Sequence, residues 1–66
     1  MKKKILVISG GISKERIISL DTGKQVAKEL RKNGYLVKIC EPDKNFISIT
    51  KNFRPHIIFN ALHGQF

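Results

Sequence analysis

The stretch Lys4-Ile5-Leu6-Val7-Ile8-Ser9-Gly10-Gly11 decides the fold. Ile5 to Ile8 form a continuous apolar run, the pattern of a strand whose two faces are both covered, so it predicts a strand over 4–9. Gly10-Gly11 ends that strand. The pair tolerates positive φ and lets a ligand approach the main chain closely, which suits a tight exit from a sheet edge. A doubly covered strand calls for parallel neighbours joined by crossover helices, and the following residues supply one. Ile12 to Ile18 read as a loop or an irregular helix entrance with two candidate caps, Ser13 and Ser19. Ser19 is preferred, because Leu20, Gly23, Ala27 and Leu30 then fall on one helical face with Val26 beside them. The helix is predicted to end near Asn33. Gly34 is the natural residue just past its end, and Arg31 with Lys32 suits the negative end of the helix dipole.

Working outward, Tyr35 to Cys40 reads as a second strand with Glu41-Pro42-Asp43 as its exit turn. Asn45 then caps a short helix in which Phe46, Ile49 and Phe53 recur at helical spacing, and Pro55 closes it. His56 to Asn60 supplies a third strand, and Ala61-Leu62-His63-Gly64 follows at its carboxyl end. The order strand-helix-strand-helix-strand is the beginning of an open α/β parallel sheet in one domain, without linker, repeat or low-complexity tract. Two helices on three strands are expected to cover one face at most. With the chain stopping where a further helix would follow, these residues are expected to be part of a larger fold.

Composition agrees. Sixty-six residues suffice for a core but exclude most enzymes. About 60% of the unfolded surface would be buried, and apolar burial and chain ordering, roughly 100 kcal/mol each, nearly cancel. The 13 Lys and Arg against 5 Asp and Glu give +8. Beyond Lys2-Lys3-Lys4 the positive residues are dispersed, and aromatic side chains able to stack bases are few, so no nucleic-acid partner is expected. Cys40, the single cysteine, permits no internal disulfide and suits a reducing compartment. No apolar run approaches the ~20 residues of a membrane span. The basic, apolar start is interrupted by Ser9-Gly10-Gly11 and lacks a cleavage site, so a cytoplasmic protein without membrane partner is expected.

In an open parallel sheet, ligands bind beyond the carboxyl ends of the strands. Gly10-Gly11, the segment to Ser19, and Asn60 to Gly64 would all lie at that edge. Glu15, Arg16, Ser19, Asn60 and His63 are therefore the polar groups that could converge on one crevice. Glu15 could hold an ammonium group, and Arg16 could pair with a carboxylate through both guanidinium donors. The glycines match neither the dinucleotide fingerprint nor a phosphate loop, which leaves no nucleotide-binding residues in the segment. His56, His63 and Cys40 fall at different strand ends, which argues against a shared metal site. Ser19 reads as a cap, since no histidine-acid arrangement surrounds it.

Two motifs carry a resemblance. Gly10-Gly11-Ile12-Ser13-Lys14-Glu15-Arg16-Ile17-Ile18-Ser19-Leu20-Asp21-Thr22-Gly23 resembles the amino-terminal signature of D-alanine:D-alanine ligases, and Phe59-Asn60-Ala61-Leu62-His63-Gly64 resembles that family's second amino-terminal motif. Order and separation match. Such enzymes join two D-alanines at the expense of ATP, for bacterial peptidoglycan. The resemblance implies a Rossmann-like, pre-ATP-grasp sheet, with residues 1–66 as a partial amino-terminal substrate-binding domain and the central and carboxyl-terminal ATP-grasp domains lying beyond it. It further implies D-alanine as substrate, ATP as cosubstrate, Mg2+ or Mn2+, and a homodimer. Glu15 matches a glutamate associated with the first D-alanine's amino group, and His63 matches a histidine near its carboxylate. Ser19 falls in the active-site network beside the glutamate, which makes Glu15 and Ser19 the implied catalytic pair and Gly10, Gly11 and Gly64 the loop-shaping residues. Ile17-Ile18 and Asp21-Thr22 depart from the residues usual there and leave those polar candidates intact. The nucleotide-binding lysines, metal carboxylates and oxyanion-binding arginine would all lie downstream.

Two other readings compete: a self-standing basic α/β module binding an anionic partner, and another carboxylate-amine ligase with a similar amino-terminal fold. The 66-residue segment alone is expected to be inactive and only marginally stable.

Overall fold

The computed structural model describes residues 2–11 and 14–62. Five elements follow in order: strand β1 (Lys4–Ile8), helix α1 (Arg16–Lys32), strand β2 (Leu36–Cys40), helix α2 (Phe46–Phe53) and strand β3 (Ile57–Asn60). The three strands form one parallel sheet in the order β2-β1-β3, a Rossmann-like β-α-β-α-β unit. β1 is central because its run is apolar on both faces: Ile5, Leu6 and Val7 are all buried. Register places Ile5 between Val37 and Ile57, and Val7 between Ile39 and Phe59. Pairing continues one residue past the strands, with Ser9 N–H donating to Cys40 O (3.0 Å) and Ala61 N–H donating to Ile8 O (2.8 Å).

Alternation along β1 sends Ile5, Val7 and Ser9 to one face and Lys4, Leu6 and Ile8 to the other. α1 covers the first face. Ile5, Val7 and Ala61 form its buried centre, with Val26, Leu30, Tyr35, Val37 and Ile39 packed against them. Gly23 and Ala27 are buried on the same helix face, as the helical spacing predicts. Gly23 is small for a reason: a Cβ there would lie 2.6 Å from both Cβ and Oγ of Ser9. At the helix end, Gly34 adopts φ +91°. Tyr35 N–H donates to Leu30 O and Gly34 N–H to Arg31 O, each at 3.1 Å, which satisfies two terminal carbonyls in a Schellman motif.

The expectation that the helices cover one face at most is corrected by the strand order. β2 and β3 flank β1 on opposite sides, so right-handed crossovers put α1 and α2 on opposite faces. Lys4 belongs to the face opposite α1, and its Nζ sits 5.9 Å from the centroid of the Phe53 ring in α2. Leu6, on that same face, is fully buried. Coverage is incomplete at β3, where Ile57, Ile58 and Phe59 remain 48, 46 and 42% exposed. Asn45 is the residue before α2, as predicted, yet its side chain makes no capping hydrogen bond. Among the described residues, no helix is long and apolar enough to cross a membrane.

Candidate functional site

The connection leaves β1 toward β2 on one side and returns to β3 on the other. This reversal of strand order makes the gap between the carboxyl ends of β1 and β3 the switch point, the place where crossover helices on opposite faces leave a crevice. The sequence puts both of its motifs there. β1 leads into Gly10 and Gly11, which take φ +92° and +90°. Side chains rarely adopt that region, so the turn is built for glycine. β3 leads into Asn60, Ala61 and Leu62, where Asn60 Oδ1 accepts the Leu62 N–H at 2.9 Å and bends the chain.

Ser19 joins the two exits. Its Oγ accepts the Gly10 N–H at 2.8 Å and donates to the Ala61 carbonyl at 2.6 Å, with the residue fully buried. The reading of Ser19 as a helix cap is therefore corrected: α1 begins a turn earlier, at Arg16, with Glu15 in the capping position. A serine inside a helix can still serve two backbone groups when loops from neighbouring strands come within reach of its hydroxyl. Both hydrogen-bonding roles of that hydroxyl are filled, which makes it a tie between loops.

Glu15 is half-buried at the start of α1, and its carbonyl accepts the Ser19 N–H at 2.8 Å. Ser19 and Glu15 are thus one helical turn apart, and the loop tie fixes the turn that carries the glutamate. Arg16 turns away from β3 toward the end of β2. Its Nε and Nη2 donate to Glu41 Oε1 and Oε2 at 3.1 and 2.7 Å, the two-donor pairing that its chemistry suggests. Sequence reasoning assigned Glu41 only to an exit turn. The available signal was position: an acid directly after a strand shares the carboxyl edge with every other strand exit. The Glu41 carboxylate also lies against Gly10, where a Cβ would come within 2.5 Å of Oε1.

Of the five polar groups expected to converge, then, Ser19 lies between the β1 and β3 exits with the Glu15 main chain one helical turn before it, Arg16 goes to the β2 edge, and Asn60 is spent on its own turn. His63 and Gly64 lie outside the described residues. His56 sits at the opposite edge, as its place at the strand start predicts, where Nδ1 accepts the Lys4 N–H at 3.0 Å. A cavity of about 330 Å³ opens beside the site, beyond the end of β2, lined by Ser9, Leu20, Ile39, Cys40, Glu41, Asp43, Asn45 and Ile49. Glu41 lines it and also reaches the glycine turn at the end of β1. Burial, and secondarily the charge of Asp43, push the Cys40 thiol above its ordinary pKa, with Lys38 opposing. Among the described residues, no group of three or more His, Cys, Asp or Glu could hold a metal ion.

No family model matches the chain. Curated relatives do. Over all 66 residues it is 73% identical to the D-alanine--D-alanine ligase of Pelagibacter ubique, covering 22% of that protein. It is 47% identical over 64 residues to the D-alanine--D-alanine ligase of Pseudothermotoga lettingae, again 22% of that protein. The ligase of Rhodospirillum rubrum is 39% identical over an alignment that spans this whole chain and 23% of its own length. The chain therefore spans about a fifth of the length of these relatives. From end to end it is similar to one segment of the D-alanine--D-alanine ligases.

Proposed function

We propose that these residues form the wall of a pre-ATP-grasp domain that positions the first D-alanine in an ATP-dependent D-alanine:D-alanine ligase. The observation that carries the reading is the junction at Ser19, through which the two motifs of the ligase resemblance meet at one sheet edge. In this reading the Glu15 carboxylate pairs with the ammonium group of the first D-alanine, and His63 donates a hydrogen bond to its carboxylate. Ser19 holds the two loops at a fixed separation, so the substrate meets a preformed surface.

The reaction consistent with this placement has two steps. One D-alanine carboxylate oxygen attacks the γ-phosphorus of ATP, releasing ADP and leaving an acyl phosphate. The amine of a second D-alanine then attacks the acyl carbon and expels phosphate, forming D-alanyl-D-alanine. Nucleotide and divalent metal do not fit the described residues. They offer neither a carboxylate cluster for a metal nor a phosphate loop with its lysine at Gly10-Gly11, so these groups would be held by other parts of a full-length ligase. Homodimerisation belongs to the same proposal.

A chimera tests the assignment. Residues 1–66 would replace the corresponding segment of the Pelagibacter ubique ligase, which is 73% identical to them. Dipeptide formation from D-alanine and ATP within about tenfold of the parent's catalytic efficiency is the expected result. A folded chimera that binds ATP but forms no dipeptide would refute the reading.

A further inference from the structure

Glu41 reaches the glycine turn from a third strand exit, that of β2. Its Oε1 takes the Arg16 Nε–H at 3.1 Å and, at a longer 3.4 Å, the Gly11 N–H, while Oε2 takes the Arg16 Nη2–H at 2.7 Å. One carboxylate therefore binds the β1 exit turn and the first residue of α1 together. Arg16 follows Glu15 directly, so whatever orients Arg16 also sets the main chain that carries Glu15. Gly10 makes room for this arrangement, since a Cβ there would collide with the Glu41 carboxylate. Ser19 holds the same turn from the β3 side. The glycine turn is pinned from both flanks by side chains, one from each direction.

We propose that Glu41 is a positioning residue for D-alanine use: through Arg16 and the Gly11 amide it fixes Glu15 at the crevice, without itself touching the substrate. The inference rests on the role given to Glu15 above. As a contribution to stability the pair counts for little, because the Arg16 and Glu41 side chains are 46 and 35% exposed and such pairs are screened by solvent. As a geometric constraint it is stronger. The planar two-donor pairing fixes orientation as well as distance, and it joins the first residue of α1 to the residue just past β2, 25 positions apart in sequence.

The test uses the chimera, with Glu41→Gln, Arg16→Gln and the double variant, each measured for D-alanine kinetics at saturating ATP, for ATP KM and for thermal midpoint. Glutamine keeps the size of Glu41, shortens the Arg16 side chain, and in both positions removes the charged pairing. The account predicts a loss on the order of tenfold in kcat/KM for D-alanine in Glu41→Gln, carried mainly by KM, with ATP KM unchanged. Arg16→Gln should match it, and the double variant should lose no more than either single change, because all three break one link. Unchanged D-alanine kinetics in Glu41→Gln would overturn the proposal. So would equal losses toward D-alanine and ATP, which would mean general loosening, or losses that multiply in the double variant. If the unsubstituted chimera forms no dipeptide, or if Glu15→Gln leaves D-alanine kinetics intact, the underlying assignment of Glu15 fails instead, and the role of Glu41 falls with it.

Discussion

At the residue scale the molecule depends on hydrogen-bonding groups that have nowhere else to go. Removing the Ser19 hydroxyl would leave the Gly10 N–H and the Ala61 carbonyl without their partner in a site closed to water. Each stranded buried group costs about 1–3 kcal/mol, so with two of them Ser19→Ala should lower stability by roughly 2–6 kcal/mol. Urea titration of the 66-residue chain, in sulfate if needed to populate the folded state, would check this; a midpoint unchanged from the parent would contradict the loop tie. Cys40 gives a pH-dependent counterpart. Burial first, then Asp43, raise its pKa in the folded state above that of an unfolded thiol. Folding therefore favours the protonated form: the stabilisation is complete below the unfolded thiol value and is lost as pH rises through the higher folded one. Stability should fall across that alkaline window, and Cys40→Ser should flatten the profile there. A profile identical in parent and variant would contradict the assignment.

At the scale of elements, α1 lies close to β1 because Gly23 faces Ser9, with room for no further atom. Alanine is the better helix former by about 1 kcal/mol, yet Gly23→Ala should destabilise by about 1–3 kcal/mol because overpacking outweighs propensity. Adding Ser9→Gly removes the opposing Cβ and should recover part of the loss. Additive losses in the double variant, read by the same urea titration, would mean that the contact does not limit helix approach. Much at this scale was legible in the sequence. The apolar run of β1, the Arg31-Lys32-Asn33-Gly34 ending of α1 and the Phe46, Ile49, Phe53 spacing each carry a local signal that survives folding. The start of α1 was not legible, because Ser19 has the composition of a cap and only the arrival of β3 shows why a buried serine is needed further inside. Glu41 escaped for the same reason: its partners Arg16 and Gly11 lie 25 and 30 residues away, a separation that no local pattern encodes.

At the scale of the whole molecule, the parallel order and the site edge followed from the alternation of strand and helix patterns, whereas the placement of the helices on opposite faces followed from strand order, which the sequence alone left open. The same order leaves β3 at an edge with three large apolar side chains nearly half exposed. An uncovered apolar edge lowers stability and invites pairing. The 66-residue chain by itself should unfold with a free energy below about 5 kcal/mol, as the near balance of burial and ordering implies. Cooperative unfolding of the monomer above that value, followed by circular dichroism during denaturant titration, would show that the edge is no liability.

The central claim is that the junction formed by the two motifs positions the first D-alanine, and the most direct measurement is the D-alanine kinetics of Glu15→Gln in the chimera at saturating ATP, alongside its nucleotide affinity. Loss of one charge-assisted contact, about 2 kcal/mol, corresponds to roughly a 30-fold fall in catalytic efficiency toward D-alanine, with nucleotide affinity unchanged. His63→Ala should act in the same direction. Unchanged D-alanine kinetics in both variants, with the fold preserved, would contradict the account.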